Sequence, residues 1–204
     1  VDSGSTAMAD DVLAAIRQLT PLPIRYIINT SMDADHVGGN ELLSKAGLSI
    51  LPGAVAAGAG LGDDVLANFG YASVFAHENV LTRMSDADPP VPSTLWPTKT
   101  FFYRMYSMYL NGEGIQIIHQ PNAHTDGDSF VVFPAAHVMH AGDVFAEKAA
   151  PRVDTSNGGR GVAYAETMRQ AVAGIPDVSA VITGHSSRMT WADFVEYAEF
   201  TNVL

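Results

Sequence analysis

The sequence predicts a mixed α/β fold, and three observations carry that expectation. With 204 residues, 47% of them hydrophobic and only 16% charged, the chain has the composition of one globular domain with a sizeable core. Short β-branched and aromatic runs stand singly between amphipathic stretches, as in parallel sheets flanked by helices. A Leu110-Asn111-Gly112-Glu113 signal adds at least one antiparallel hairpin. The expectation is a single domain over residues 1–204 with mixed sheets covered by helices. No internal repeat is visible.

The elements follow in order. Ser5 or Thr6 is suited to cap a helix with Asp10 and Asp11 in its first turn and Val12, Leu13, Ile16 and Leu19 on its apolar face. Pro21 and Pro23 end it. Residues 24–30 read as a buried strand, 31–39 as an extended polar loop, 40–46 as a helix closed by Gly47, and 48–51 as another strand. An Ala/Gly-rich stretch at 53–62 leads to a helix at 63–69. A strand at 72–75, a helix at 77–84 and a Pro-rich extended segment come next. Two or three antiparallel strands are expected over 100–120, further strands at 130–133, 137–140 and 178–183, and helices at 164–173 and from Trp191 onward.

Charge and composition exclude several function classes. The net charge of −11, with no Lys/Arg cluster, disfavours nucleic acid and anionic membrane surfaces as partners. The absence of cysteine removes disulfides, thiolate nucleophiles and Cys-rich structural zinc sites. No run of about 18 apolar residues is present to span a bilayer. A zero-cysteine acidic composition favours a periplasmic or secreted location over a cytoplasmic one. Neither Ser3 nor Ser186 sits in a nucleophile elbow, and no motif marks a glycosidase carboxylate pair.

The chemistry-bearing residues gather after apolar runs. The strand at 24–30 ends in Ser31-Met32-Asp33-Ala34-Asp35-His36-Val37-Gly38-Gly39-Asn40, a loop whose alternate side chains converge if it is extended. Three later segments share this character: His124-Thr125-Asp126-Gly127-Asp128, Ala141-Gly142-Asp143 and Thr183-Gly184-His185-Ser186. Imidazoles and carboxylates leaving several strands on one side make a metal site with a hard-to-borderline donor set. Asp126 and Asp128 are candidates to orient His124. His119, His137 and His140 read as structural, His77 as a helix cap, and the cluster Phe101, Phe102, Tyr103, Tyr106, Met108 and Tyr109 mostly as strand core with some residues walling a pocket.

This ordered set of motifs resembles the metallo-β-lactamase superfamily, and the resemblance covers nearly the whole chain. It implies an αββα four-layer sandwich with metals at one edge of two sheets. Val1-Asp2-Ser3-Gly4 is similar to the family's Asp-x-Gly turn before the first helix. The family carries strands upstream of that turn, so the chain is expected to be N-terminally incomplete, with a retained fragment or a second chain completing the sandwich; a homo-oligomer is the other arrangement considered. The resemblance implies one main metal position held by Asp35, His36, Asp143 and His185. The other position corresponds to Ser31, Asp33 and His124, where the family has two leading histidines in His-x-His-x-Asp-His and this chain has Ser31-x-Asp33-x-Asp35-His36. The implied cofactor is Zn²⁺, one ion or two, with Fe²⁺ or Mn²⁺ as alternatives. The implied activity is hydrolysis of a small ester, lactone, thioester or amide-type substrate by metal-bound hydroxide, with Asp35 orienting the nucleophile or shuttling its proton. The alternative is a binding protein on the same fold with a degenerate metal site.

Overall fold

The computed structural model describes residues 1–49 and 70–204. The described residues form two compact units, residues 1–76 with 84–100 and residues 77–83 with 101–204. No helix among the described residues is long and apolar enough to cross a membrane.

In the first unit, α1 (Ala9–Leu19) follows a single 3₁₀ turn, Thr6–Met8. Asp10 and Asp11 complement its N-terminus and Arg17 its C-terminus. The expected side-chain cap is not made: Ser5 caps without a side-chain bond, and Thr6 Oγ1 donates instead to Gly38 O at 3.1 Å. Val12 and Leu13 pack inward, whereas Leu19, the last residue of the helix, is exposed. The first strand, β1 (Tyr26–Ile28), is shorter than the expected run because Ile24 and Arg25 lead into it outside the ladder. It pairs in parallel with β2 (Ser73–His77), and β3 (Lys99–Phe101) completes a three-stranded sheet in the order β1-β2-β3. Ile27, Leu43 and Val74 form the core between this sheet and the helices.

The segment expected to be an extended loop contains a turn of helix, α2 (Ala34–Val37), before α3 (Asn40–Ala46). Gly38 and Gly39 allow the N-terminal turn to lie directly on it. A Cβ on Gly39 would stand 2.4 Å from Ser3 O, and one on Gly38 2.4 Å from Thr6 N. Residues 48 and 49 are not in a strand. The rest of the expected strand at 48–51, the 53–62 stretch and the helix at 63–69 lie outside the described residues.

The second unit takes in the first half of α4 (Glu78–Asp86) and a six-stranded sheet in sequential order: β4 (Met105–Leu110), β5 (Glu113–His119), β6 (Ser129–Phe133), β7 (Val138–Gly142), β8 (Ala180–Thr183) and β9 (Met189–Thr190). The β4–β5 hairpin turns on Asn111 and Gly112, both at positive φ as a type I′ turn requires. Every pair is antiparallel except β7–β8, which are joined through α5 (Gly161–Gly174). The two-residue β9 carries too little pattern to be read from sequence. The C-terminal helix α6 (Trp191–Thr201) opens with a reciprocal Thr190/Asp193 capping box. The aromatic run before and along β4 is not core: Phe101 is buried, but Phe102, Tyr103, Tyr106 and Tyr109 are exposed, because β4 is the outer strand of its sheet.

Phe130, Met139, Phe145, Met168 and Phe194 centre the larger core. The Phe194 ring lies 5.8 Å from Phe130, 5.7 Å from Phe145 and 5.0 Å from Trp191, and its side chain is fully buried. Phe194→Ala removes this shared contact and is expected to destabilise the protein by about 3–5 kcal/mol, read from the urea midpoint at constant m.

Candidate metal centre

The topology brings ligand-type residues to strand ends. In the second unit, β7 and β8 run parallel, so Asp143 and His185 leave the same edge of the sheet just after them. Because β6 is antiparallel to β7, the loop that precedes it, with His124, opens at that edge too. In the first unit, Ser31, Asp33, Asp35 and His36 follow the end of β1.

His36 is buried and tightly oriented. Its Nδ1 lies 2.9 Å from Asp2 Oδ2 and 3.2 Å from Thr30 Oγ1. Thr30 donates both its N–H and its hydroxyl to the same carboxylate, each at 2.8 Å. This network assigns the proton of neutral His36 to Nδ1. The His36 carbonyl accepts from Ser3 N–H and Oγ–H, and Asn29 and Asn40 bond each other beside it. Asp33 precedes α2, and Ser31 Oγ donates to Asp33 Oδ2 at 2.7 Å, so the two positions that depart from the family motif hold each other. Asp35, one residue further along α2, is exposed.

In the second unit, Asp143 and His185 meet. Nε2 of His185 stands 3.1 Å from Asp143 Oδ1 and 3.3 Å from Oδ2. Two donors about 2.1 Å from one tetrahedral ion stand roughly 3.4 Å apart, so this spacing and donor chemistry fit a shared cation. Gly184 makes the approach possible, since a Cβ there would fall 2.1 Å from Asp143 Oδ1. Tyr164 donates its hydroxyl to Val144 O at 2.6 Å and fixes the turn after Asp143; burial pushes its phenol far above the usual range. Arg152, which the sequence did not single out, places Nη1 3.8 Å from Asp143 Oδ2 and 3.4 Å from His185 Nε2.

His124 is buried with Nδ1 3.6 Å from Asp128 Oδ1. Asp128 also accepts from Thr125 N–H at 2.6 Å and Oγ1 at 2.7 Å; burial raises its pKa while these bonds and His124 oppose the rise. Asp128 thus stands beside His124, at a distance beyond hydrogen-bond length. The Asp126 carboxylate reaches Arg83. The other histidines are structural. His137 Nδ1 lies 2.7 Å from Asp177 O, and His140 Nδ1 accepts from Gly142 N–H. His77 accepts from Asn79 N–H at the start of α4 and stacks on His119 with ring centroids 3.5 Å apart.

The sequence matches the metallo-β-lactamase superfamily over residues 1–200, and the chain belongs to that superfamily. Most of the superfamily are hydrolases and its members bind metal, usually zinc. Among solved structures, a metallo-β-lactamase from Pontibacter korlensis is similar with a TM-score of 0.73 at 13% identity, over 100% of this chain and 81% of that one. TMB-1 is similar at 0.70 and 12%, over 99% and 78%, and the metallo-β-lactamase DIM-1 at 0.69 and 13%, over 99% and 80%. The fold is therefore that of the metallo-β-lactamases. No curated protein matches the sequence.

The stacked imidazoles give a pH dependence. Burial, and to a lesser degree the neighbouring His119, hold His77 down at about 4, while burial also lowers His119. A histidine depressed in the folded state takes up its proton more readily when unfolded. His77 therefore contributes stability that is complete above about pH 6.5 and is lost as pH falls towards 4. Urea midpoints measured across this window should fall with pH, and His77→Gln should flatten the dependence.

Proposed function

We propose that the protein is a metal-dependent hydrolase whose principal ion is held by Asp35, His36, Asp143 and His185, with His124 and Asp33 supplying a second, weaker position. The observation that carries the reading is the 3.1 Å approach of Asp143 and His185, a buried carboxylate and an imidazole held at ligand spacing. The Asp2-fixed His36 tautomer supports it. Membership of a superfamily rich in metal hydrolases supports the reaction class.

An ion held by these residues would supply Lewis acidity and a nucleophile at neutral pH, with Zn²⁺ favoured by the mixed N/O donors and Fe²⁺ or Mn²⁺ as alternatives. The chain's own residues do the remainder. Asp2 keeps the His36 ring in one orientation. Asp35, being exposed, is the group that accepts and returns a proton at its carboxylate during attack on the substrate carbonyl. The substrate class is a small ester, lactone, thioester or amide.

Replacing two imidazoles with Ser31 and Asp33 makes the second position more oxygen-rich and weaker. The Ser31–Asp33 bond at 2.7 Å favours the same conclusion and also keeps the binding-protein alternative under test. Elemental analysis after dialysis is expected to find about one tightly held ion per chain. Asp143→Ala and His36→Ala should abolish it, while Asp33→Ala should keep it. Loss of hydrolysis alongside the ion supports the enzyme reading. Failure to take up any ion under zinc, iron or manganese loading overturns it in favour of a binding protein.

A further inference from the structure

Asp126 is the residue that the metal reading leaves without a role, although nearly every polar group it owns is engaged. Arg83 grips its carboxylate from α4 with two bonds, Nε to Oδ1 at 3.2 Å and Nη2 to Oδ2 at 2.6 Å. One turn earlier on the same helix face, Asn79 donates its side-chain amide to the Asp126 carbonyl at 2.8 Å. His119 Nε2 reaches the same carbonyl at 2.8 Å, which fixes it as the donor nitrogen and puts its proton there. The Asp126 N–H donates to Asn157 O at 3.0 Å.

The opposite side of the loop is held as firmly. Asp154 N–H donates to His124 O at 2.8 Å and Arg160 N–H to Ala123 O at 3.1 Å. The 154–160 turn is itself closed by the Asp154 carboxylate, which accepts from the backbone of Ser156 and Asn157. His124 therefore sits between two fixed points of backbone, Ala123 on one side and Asp126 on the other.

We propose that Arg83 and Asp126, with Asn79 and His119 on the Asp126 carbonyl, form a positioning clamp that sets where His124 presents its coordinating nitrogen. The role rests on the metal reading above. It matters more in this chain than in a His-x-His relative: with Ser31 and Asp33 in the other two places, His124 is the one imidazole of its set. A loosely placed ring cannot be compensated by two others, and losing an outer support of a ligand typically costs 10- to 100-fold in metal affinity. None of the four clamp residues is itself a ligand in this scheme, so the clamp acts through His124 alone.

The test compares the parent with Arg83→Met, Arg83→Lys and Asp126→Asn. Two readouts separate the clamp from the metal reading. In metal-free protein, the Cε1–H signal of His124 in a carbon–proton correlation spectrum should broaden or split in Arg83→Met, with those of His36 and His185 unmoved, and should recover in part in Arg83→Lys. In a cobalt titration followed by visible absorption, the weaker step should fall 10- to 100-fold in Arg83→Met while the tighter step changes less than about threefold. An unchanged His124 signal in folded Arg83→Met overturns the clamp. So does a change that spreads to all three histidines with a lowered melting temperature, because that is general loosening. A parent that takes up no cobalt while its His124 signal still responds to Arg83→Met overturns the metal reading and supports the clamp.

Discussion

The ligand-type residues of the first unit depend on one carboxylate, that of Asp2. It binds the ring of His36 and both donors of Thr30, and so ties the N-terminal turn to the end of β1 and to α2 at once. The backbone must bend sharply to deliver it, with Asp2 at a φ of 48° and Gly4 at 75°. The close seating of that turn on Gly38 and Gly39 is the geometric condition for the bond. A buried imidazole so constrained gives up the rotational freedom that a ligand would otherwise lose on coordination, so the ordering cost is met during folding.

The ligand-type residues of the second unit are organised by strand direction rather than by one bond. Parallel β7 and β8 release Asp143 and His185 side by side, and Gly184 lets the carboxylate lie against the backbone. Burial makes this arrangement demanding. Asp143, Asp128 and His124 are all nearly inaccessible to solvent, and a buried polar group is costly unless neighbours satisfy it. Thr125 donates twice to the Asp128 carboxylate, and His185 and Arg152 stand against that of Asp143.

Much of this was legible in the sequence because it is local. A ligand-type residue directly after an apolar run marks a strand end whatever the rest of the chain does, which singles out the segments at 31–40, 124–128, 141–143 and 183–186, while the choice of Asp33, Asp35, His36, His124, Asp143 and His185 as ligands comes from the family resemblance. The hairpin at Asn111-Gly112 was equally plain, since its conformation demands those residues. What escaped was either too short or too distant. The four residues of α2 complete one turn and show no period, so the loop was read as extended. The partnership of Arg83 with Asp126 joins residues 43 apart, and that of Arg152 with Asp143 joins a loop to a strand end. No spacing in the sequence announces either. The exposed tyrosines of β4 were misplaced because alternation cannot tell an outer strand from a central one.

Arg152 has a consequence of its own. Its guanidinium, on an exposed side chain, stands beside the buried carboxylate of Asp143 and supplies part of the positive charge that the carboxylate requires. On the metal reading, coordination is then an exchange of cations, a tethered monovalent one for a free divalent one. The Asp143 carboxylate therefore offers one electrostatic place that the Arg152 guanidinium and a bound cation would contest.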